Sequence, residues 1–291
     1  LAMTRALTFI TDASDIEVVP SIRNGNRLNH TIGLGAMGLH TYFAKNEMEY
    51  GSPESIEFTD VYFMLLNYWT LVESNNIAKE RKETFHNFDK SDYANGSYFD
   101  TYINKPILPQ SDKVKDLFSN VAVPTAEDWV ALKASIQEFG LYHQNRLAVA
   151  PNGSISYIND TSASIHPITR LIEERQEKKI GKIYYPAPHL SNTSMPYYTS
   201  AYDMDMRKVI DVYATAQKHV DQGMSMTLFM RSDIPEGLYE WKTDTTKQTT
   251  RDLNILRHYA FHQGIKSIYY IRTFTDDAEE IGSNQCESCV I

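Results

Sequence analysis

Residues 224–274 read MSMTLFMRSDIPEGLYEWKTDTTKQTTRDLNILRHYAFHQGIKSIYYIRTF. Met224 to Phe229 is an apolar run of strand length. Thr246 to His262 carries Leu253, Leu256, Tyr259 and Ala260 at helical spacing, and Gly264 closes that helix. Ile265 to Phe274, rich in Ile, Tyr and Thr, is the clearest strand of the chain. The same order recurs just upstream. Arg146 to Ala150 is a short strand candidate, and Met206, Val209, Ile210, Tyr213 and Val220 form a helical stripe that leads into Met224. Two successive strand-helix-strand units predict a parallel sheet with helices outside it, an α/β fold.

Toward the N-terminus the pattern is helical. Ser52-Pro53 is a helix start, and Ile56, Phe58, Val61, Phe63, Leu65, Leu66, Trp69 and Leu71 predict one long buried helix to about Lys82. Thr125 and Asp128 form a near-match to a capping box ahead of Trp129, Leu132, Ile136 and Phe139, which Gly140 ends. Residues 89–109 read as an irregular connection. Gly33 to His40 reads as the opening of a helix, and the first residues as an amphipathic helix with Ala6, Leu7, Phe9 and Ile10 on its apolar side. From Thr275 the apolar pattern gives way to Asp, Glu, Gly, Ser and Asn, so residues 1–274 form the folded part and 275–291 a flexible C-terminal tail.

The 291 residues are 42% hydrophobic and 22% charged, enough to fold around a core. A net charge of −9 without a basic field argues against a nucleic-acid partner. No apolar run approaches the roughly 18 residues of a membrane span, and no signal segment is visible, which makes the cytoplasm the expected compartment. The sequence opens at Leu1 inside a helical pattern, as a processed end, an engineered boundary or a split gene would produce.

Four motifs bear on chemistry. Gly33-Leu34-Gly35-Ala36-Met37-Gly38 matches the dinucleotide-binding G-x-G-x-x-G, but Asn26 to His30 before it cannot make the buried strand that such a site needs, and small residues for close packing explain it better. Pro151-Asn152-Gly153-Ser154-Ile155-Ser156 follows a strand candidate. A glycine-containing turn exposing backbone N–H groups, with hydroxyls from Thr161, Ser162 and Ser164 to follow, suits a phosphate without any lysine, although an ordinary hydroxyl-rich turn reads the same way. Tyr269-Tyr270 would, in a plain strand, put one ring in the core and the other on the surface. Cys286-Glu287-Ser288-Cys289, the only cysteines, have C-x-x-C spacing on an acidic tail. A redox dithiol, an inert pair or half of a metal site are the readings, and the last lacks two nearby ligands.

Taken in order, the loop 151–160, the segment Gly264 to Arg272 and the terminal C-x-x-C resemble the large (alpha) subunit of class Ib ribonucleoside-diphosphate reductase. Ile32 to Gly35, Thr161 to Pro167 and Asp221 to Ser225 resemble the same subunit. The resemblance implies the C-terminal part of a ten-stranded α/β barrel. By position, Pro151, Asn152, Gly153, Ser154 and Ile155 would bind the substrate's diphosphate, with Asn152 where the family commonly has Thr. Tyr269 and Tyr270 would relay a radical from the small (beta) subunit, which carries a dimetal-tyrosyl radical cofactor. Cys286 and Cys289 would re-reduce the active-site disulfide and be reduced in turn by a thioredoxin- or glutaredoxin-like protein.

The family's thiyl-forming cysteine, in an Asn-Leu-Cys-x-Glu segment, and its two further active-site cysteines are absent from this sequence. The expectation is therefore a C-terminal piece, from a split gene (a split subunit) or a partial sequence, that needs the N-terminal part of the alpha subunit, binds no metal or other cofactor itself, and contributes to reduction of ribonucleoside diphosphates. A non-catalytic remnant or assembly factor of the same fold is one alternative, and an NAD-binding oxidoreductase built on Gly33 to Gly38 is another.

Overall fold

A computed structural model of the protein describes residues 1–14, 16–177, 181–239, 241–242 and 247–274. Its helices are α1 (Ala2–Ala13), α2 (Pro20–Asn29), α3 (Leu39–Lys45), α4 (Pro53–Arg81), α5 (Asp92–Asn95), α6 (Asp100–Asn104), α7 (Asp112–Leu117), α8 (Ala126–Phe139), α9 (Gly153–Ile158), α10 (Met206–Gln217) and α11 (Thr250–His262). The strands are β1 (Ile172–Glu177), β2 (Gly181–Pro186), β3 (Thr227–Arg231) and β4 (Tyr270–Phe274). They fall into two compact units. One comprises Leu1–Gly35, Glu57–Ala148 and His219–Gln222; the other comprises Ala36–Ile56, Val149–Lys218 and the described residues from Gly223 on.

The first unit is helical. α4 starts at Pro53 with Glu54 in its first turn and ends with Lys79 and Arg81, charges that complement the helix dipole. Val61, Phe63, Met64, Leu71, Ile77 and Ala78 are buried along it, and so are Asn67 and Ser74, as expected of a helix enclosed on several sides. α8 carries the expected capping box, Thr125 with Asp128, and buries Trp129, Leu132 and Ile136. Gly140 ends it at φ +78, a conformation that glycine adopts without strain. Residues 89–109 contain α5, α6 and two 3₁₀ turns rather than an irregular connection. Ser91 caps α5 by accepting from the Ala94 N–H, a local signal at too short a range for the apolar periodicity to register.

α1 is oriented opposite to the sequence-based expectation. Its buried residues are Thr4 and Thr8, whereas Phe9 is 73% and Ile10 59% exposed. Polar contacts hold it that way round. Arg5 pairs with Glu73 at 2.6 Å and with Glu80 at 2.8 Å, Arg81 pairs with Asp12 at 2.7 Å, and Thr8 meets His143 at 2.9 Å.

In the second unit β3 and β4 pair in parallel, from Thr227 opposite Tyr270 to Arg231 opposite Phe274, and α11 is the crossover between them. The α/β reading holds here. The ladder is shorter than the apolar runs suggested: ahead of it the Tyr269 N–H donates to the Met226 carbonyl at 2.7 Å and the Ser267 hydroxyl donates to the Met224 carbonyl at 3.1 Å, without a continuous strand. α11 begins at Thr250 rather than Thr246, with Thr249 and Asp252 forming a second capping box. The upstream candidate at 146–150 is reduced to single parallel bridges, Leu147 to Leu34 in the first unit and Val149 to Met224 in the second.

An antiparallel hairpin, β1 with β2, was not foreseen: Ile-Glu-Glu-Arg-Gln-Glu has no alternation to mark it. Among the described residues the strands form two separate two-stranded sheets. The helix expected from Gly33 begins only at Leu39. Gly38 is its N-cap at φ +80, and Leu34 is spent on the bridge to Leu147. No helix among the described residues is long and apolar enough to cross a membrane.

Two buried histidines make the fold acid-sensitive. His40 accepts from the Ile168 N–H at Nδ1 (2.9 Å) and donates from Nε2 to the Tyr197 carbonyl (3.1 Å), and burial pushes its pKa down to about 4. Burial, aided by the Arg146 charge, pushes His143 down to about 3. Unfolded histidines titrate near 6.5, so below that pH the unfolded chain binds protons that the folded chain refuses. Stability is complete above pH 6.5 and falls as the pH drops through 4. Urea unfolding should show each histidine removing about 2 kcal/mol between pH 7 and 5, and His40→Gln should flatten that slope.

Candidate functional site

The second unit contains a cleft of about 710 Å³ whose walls come from the turn after Val149, the segment 160–170, the β1–β2 hairpin and the end of the parallel pair. The turn is held at its base by the Ser225 N–H, which donates to the Val149 carbonyl at 2.9 Å. Asn152 sits at φ +51 as the N-cap of α9, in the left-handed region that Asn tolerates better than most residues. Gly153 opens α9, and the Ser156 hydroxyl donates to the Gly153 carbonyl at 2.7 Å, locking the turn from beneath. The first N–H groups of such a turn have no acceptor within the helix.

Pro151 and Gly153 line the cleft, together with the buried Ser156. Ser154 and Ile155 are exposed on the same turn without lining it, and Asn152 contributes the turn's conformation. Of the three later hydroxyl residues, Thr161 and Ser162 line the cleft, but the Ser162 Oγ is occupied in accepting from the Thr41 N–H at 3.1 Å. Ser164 is fully buried, its Oγ 3.5 Å from the Tyr213 hydroxyl, and is no part of the wall.

Tyr269 and Tyr270 line the same cleft. Because β4 starts only at Tyr270, the two rings do not alternate across a sheet. They meet with centroids 4.2 Å apart at 58°, and both are partly exposed, 52% and 36%. The expectation of one core ring and one surface ring is thus corrected. The Tyr269 phenol is held above its ordinary pKa by hydrogen bonding with Tyr270. The Arg272 guanidinium lies 5.5 Å from the Tyr270 ring centroid. Cys286 and Cys289 lie outside the described residues.

Residues that sequence reasoning missed complete the wall. Tyr157 donates to Glu173 at 2.6 Å and its ring contacts Tyr185 at 5.0 Å, so the unforeseen hairpin supplies one side. His166, Arg170 and Arg272 bring basic groups to the lining of an otherwise acidic protein. Arg272 stood in the quoted Tyr-Tyr-Ile-Arg segment, but nothing in its spacing marked it. Among the described residues no cluster of three or more His, Cys, Asp or Glu is placed to hold a metal ion.

Comparison with known proteins accords with this architecture. The family profile "Ribonucleotide reductase, barrel domain" matches residues 1–271. The chain is 43% identical to the ribonucleoside-diphosphate reductase subunit alpha of Bacillus subtilis over 99% of its own length and 38% of that protein's. It is 41% identical to the subunit alpha of Mycoplasma pneumoniae, covering 98% of this chain and 39% of the relative, and 29% identical to that of Helicobacter pylori, covering 94% and 33%. The chain belongs to the ribonucleotide reductase barrel-domain family, and it spans less than two fifths of the length of these relatives.

The cleft's floor depends on one glycine. Gly38 has φ +80, and a Cβ there would collide with the Thr161 hydroxyl. Gly38→Ala should cost about 2 kcal/mol or more in thermal or urea unfolding, since left-handed strain alone costs about 1–2 kcal/mol. It should also displace the segment 161–164, whose Ser164 carbonyl accepts from the Gly38 N–H at 2.9 Å.

Proposed function

We propose that this chain supplies the C-terminal share of a class Ib ribonucleoside-diphosphate reductase alpha subunit, contributing part of a ten-stranded α/β barrel and acting in the reduction of ribonucleoside diphosphates to deoxyribonucleotides in the cytoplasm. The observation that carries the reading is that one cleft is lined both by the turn Pro151-Gly153 and by the touching pair Tyr269-Tyr270. A diphosphate loop and a radical relay are useful to one reaction only if they open onto the same space.

In this reading the backbone N–H groups of Gly153, Ser154 and Ile155 and the Ser154 hydroxyl hold the substrate diphosphate, with Pro151 and Asn152 setting the turn. The tyrosine pair passes one electron and one proton per step, because a phenol loses its O–H proton when it is oxidised. Cys286 and Cys289 carry reducing equivalents in from a thioredoxin- or glutaredoxin-like protein. The dimetal-tyrosyl radical cofactor resides in the small subunit and supplies the radical.

The cysteine that reacts with substrate is supplied by a part of the alpha subunit outside these 291 residues, because the only cysteines here are Cys286 and Cys289. The outward apolar stripe of α1, with Met3 68%, Phe9 73% and Ile10 59% exposed, supports a further polypeptide packing on this chain.

The test is reconstitution with an N-terminal part bearing the missing cysteines, a small subunit and thioredoxin. Tyr269→Phe or Tyr270→Phe should abolish turnover with folding intact, since the ring is kept and only the phenolic O–H is lost. Cys286→Ser or Cys289→Ser should complete about one turnover and then stop, with partial rescue by a small dithiol, because exchange needs both an attacking and a resolving thiol. Normal cycling by either set would remove the corresponding role.

In the same complex Ser154→Ala should raise KM more than it lowers kcat, by about 1.5–3 kcal/mol for one hydrogen bond to a charged group. Unchanged substrate affinity would take the hydroxyl out of the site.

A further inference from the structure

An aromatic array in the first unit has no part in the reaction proposed above. Tyr102, on α6, is 4% exposed, and its phenolic oxygen lies 3.0 Å from Nδ1 of the buried His219. His219 Nε2 lies 2.9 Å from an Asp60 oxygen, an atom that can only accept from it, so the imidazole carries its proton on Nε2 and leaves Nδ1 as a base. Asn67 Nδ2 donates to the same phenolic oxygen at 3.0 Å, which aims the phenol's own proton at His219. Phenol, imidazole and carboxylate thus stand in line for a proton transfer over a buried hydrogen bond.

The Tyr102 ring stacks on Trp129, with centroids 4.2 Å apart at 13°. Trp129 meets Tyr68 at 4.9 Å, and Tyr68 meets Trp69 at 5.1 Å. Trp129 is 1% exposed and Trp69 36%, so the series runs from the core to the surface. Tyrosine and tryptophan are the side chains, beside cysteine, that give up a single electron most readily. A core that needed only bulk at these positions could be built from Phe and Leu, without polar tips to satisfy.

We propose that Tyr102 is a redox-active tyrosine with His219 as its proton acceptor, and that Trp129, Tyr68 and Trp69 conduct an oxidising equivalent from it to the protein surface. An oxygen-centred radical takes one electron from Tyr102 and becomes the corresponding anion. The phenolic O–H bond breaks as its proton bonds to His219 Nδ1, and Asp60 balances the imidazolium. Trp129 then returns an electron to the tyrosyl radical while His219 returns the proton. The electron deficit passes through half-buried Tyr68, whose phenolic proton leaves to solvent as the ring is oxidised and returns as it is reduced, to Trp69, where a thiolate supplies one electron and is itself oxidised to a thiyl radical. The net change is one electron from thiolate to oxidant, a discharge route that protects the chain.

The test uses the full chain carrying Tyr269→Phe and Tyr270→Phe, so that the exposed pair cannot compete and the relay reading is not at stake. Flash oxidation with a ruthenium tris-bipyridyl sensitiser and persulfate, read by EPR and transient absorption, should give a long-lived tyrosyl radical. Tyr102→Phe should lower its yield about tenfold or more, and so should His219→Gln, which can accept the phenol's hydrogen bond but not its proton. Trp129→Phe or Trp69→Phe should slow its quenching by added thiol. An unchanged radical yield in folded Tyr102→Phe overturns the proposal. If that variant unfolds, an unchanged yield in His219→Gln does so, because a merely structural imidazole would leave the radical unaffected.

Discussion

The parallel pairing of residues 224–231 organises the second unit. Met224 bridges to Val149, and Thr227 to Arg231 pair with Tyr270 to Phe274. These contacts bring the turn that begins at Pro151 and the tyrosine pair at 269–270 to one cleft, although more than a hundred residues separate them in the chain. Every chemical suggestion about this site depends on that backbone ladder. Its hydrogen bonds are buried with β3, whose Thr227 to Met230 are all buried, and a buried N–H or C=O without a partner would be costly.

Polar contacts do as much as apolar ones to set the details. The segment 161–168 is tied down by the Gly38 N–H to Ser164, by a reciprocal pair between Thr41 and Ser162, by the Tyr50 hydroxyl on the Ile165 carbonyl at 2.7 Å, and by His40 on the Ile168 N–H. Each anchor is buried, so each is both specific and expensive to break. The same holds for α1, where ion pairs and a threonine-histidine contact turn an amphipathic helix polar side inward.

The lining of the cleft is hydroxyl-rich and mixed in charge, with Asp160 and Glu173 beside its basic groups. Arg170, Arg272 and His166 are at its lining while the chain carries a net charge of −9. Local backbone donors and two arginines can attract a phosphate without a basic overall field, so a net charge of −9 does not by itself exclude an anionic ligand here.

The sequence by itself determined the elements whose signals are local. The start of α4 at Pro53, the Thr125-Asp128 box of α8, the crossover through α11 and the α/β order of 224–274 were all legible, because proline geometry, capping and apolar periodicity act within a few residues. The motif order also carried the family. Only the tertiary structure decided which face of α1 turns inward, since ion pairs with Glu73, Glu80 and Arg81 arise between residues about seventy apart. Only it showed the β1–β2 hairpin, whose first strand, Ile-Glu-Glu-Arg-Gln-Glu, has no apolar alternation, and the side-by-side placement of Tyr269 and Tyr270. That placement follows from where β4 begins, and the start of a strand is set by its partner's register, a long-range constraint that no local pattern encodes.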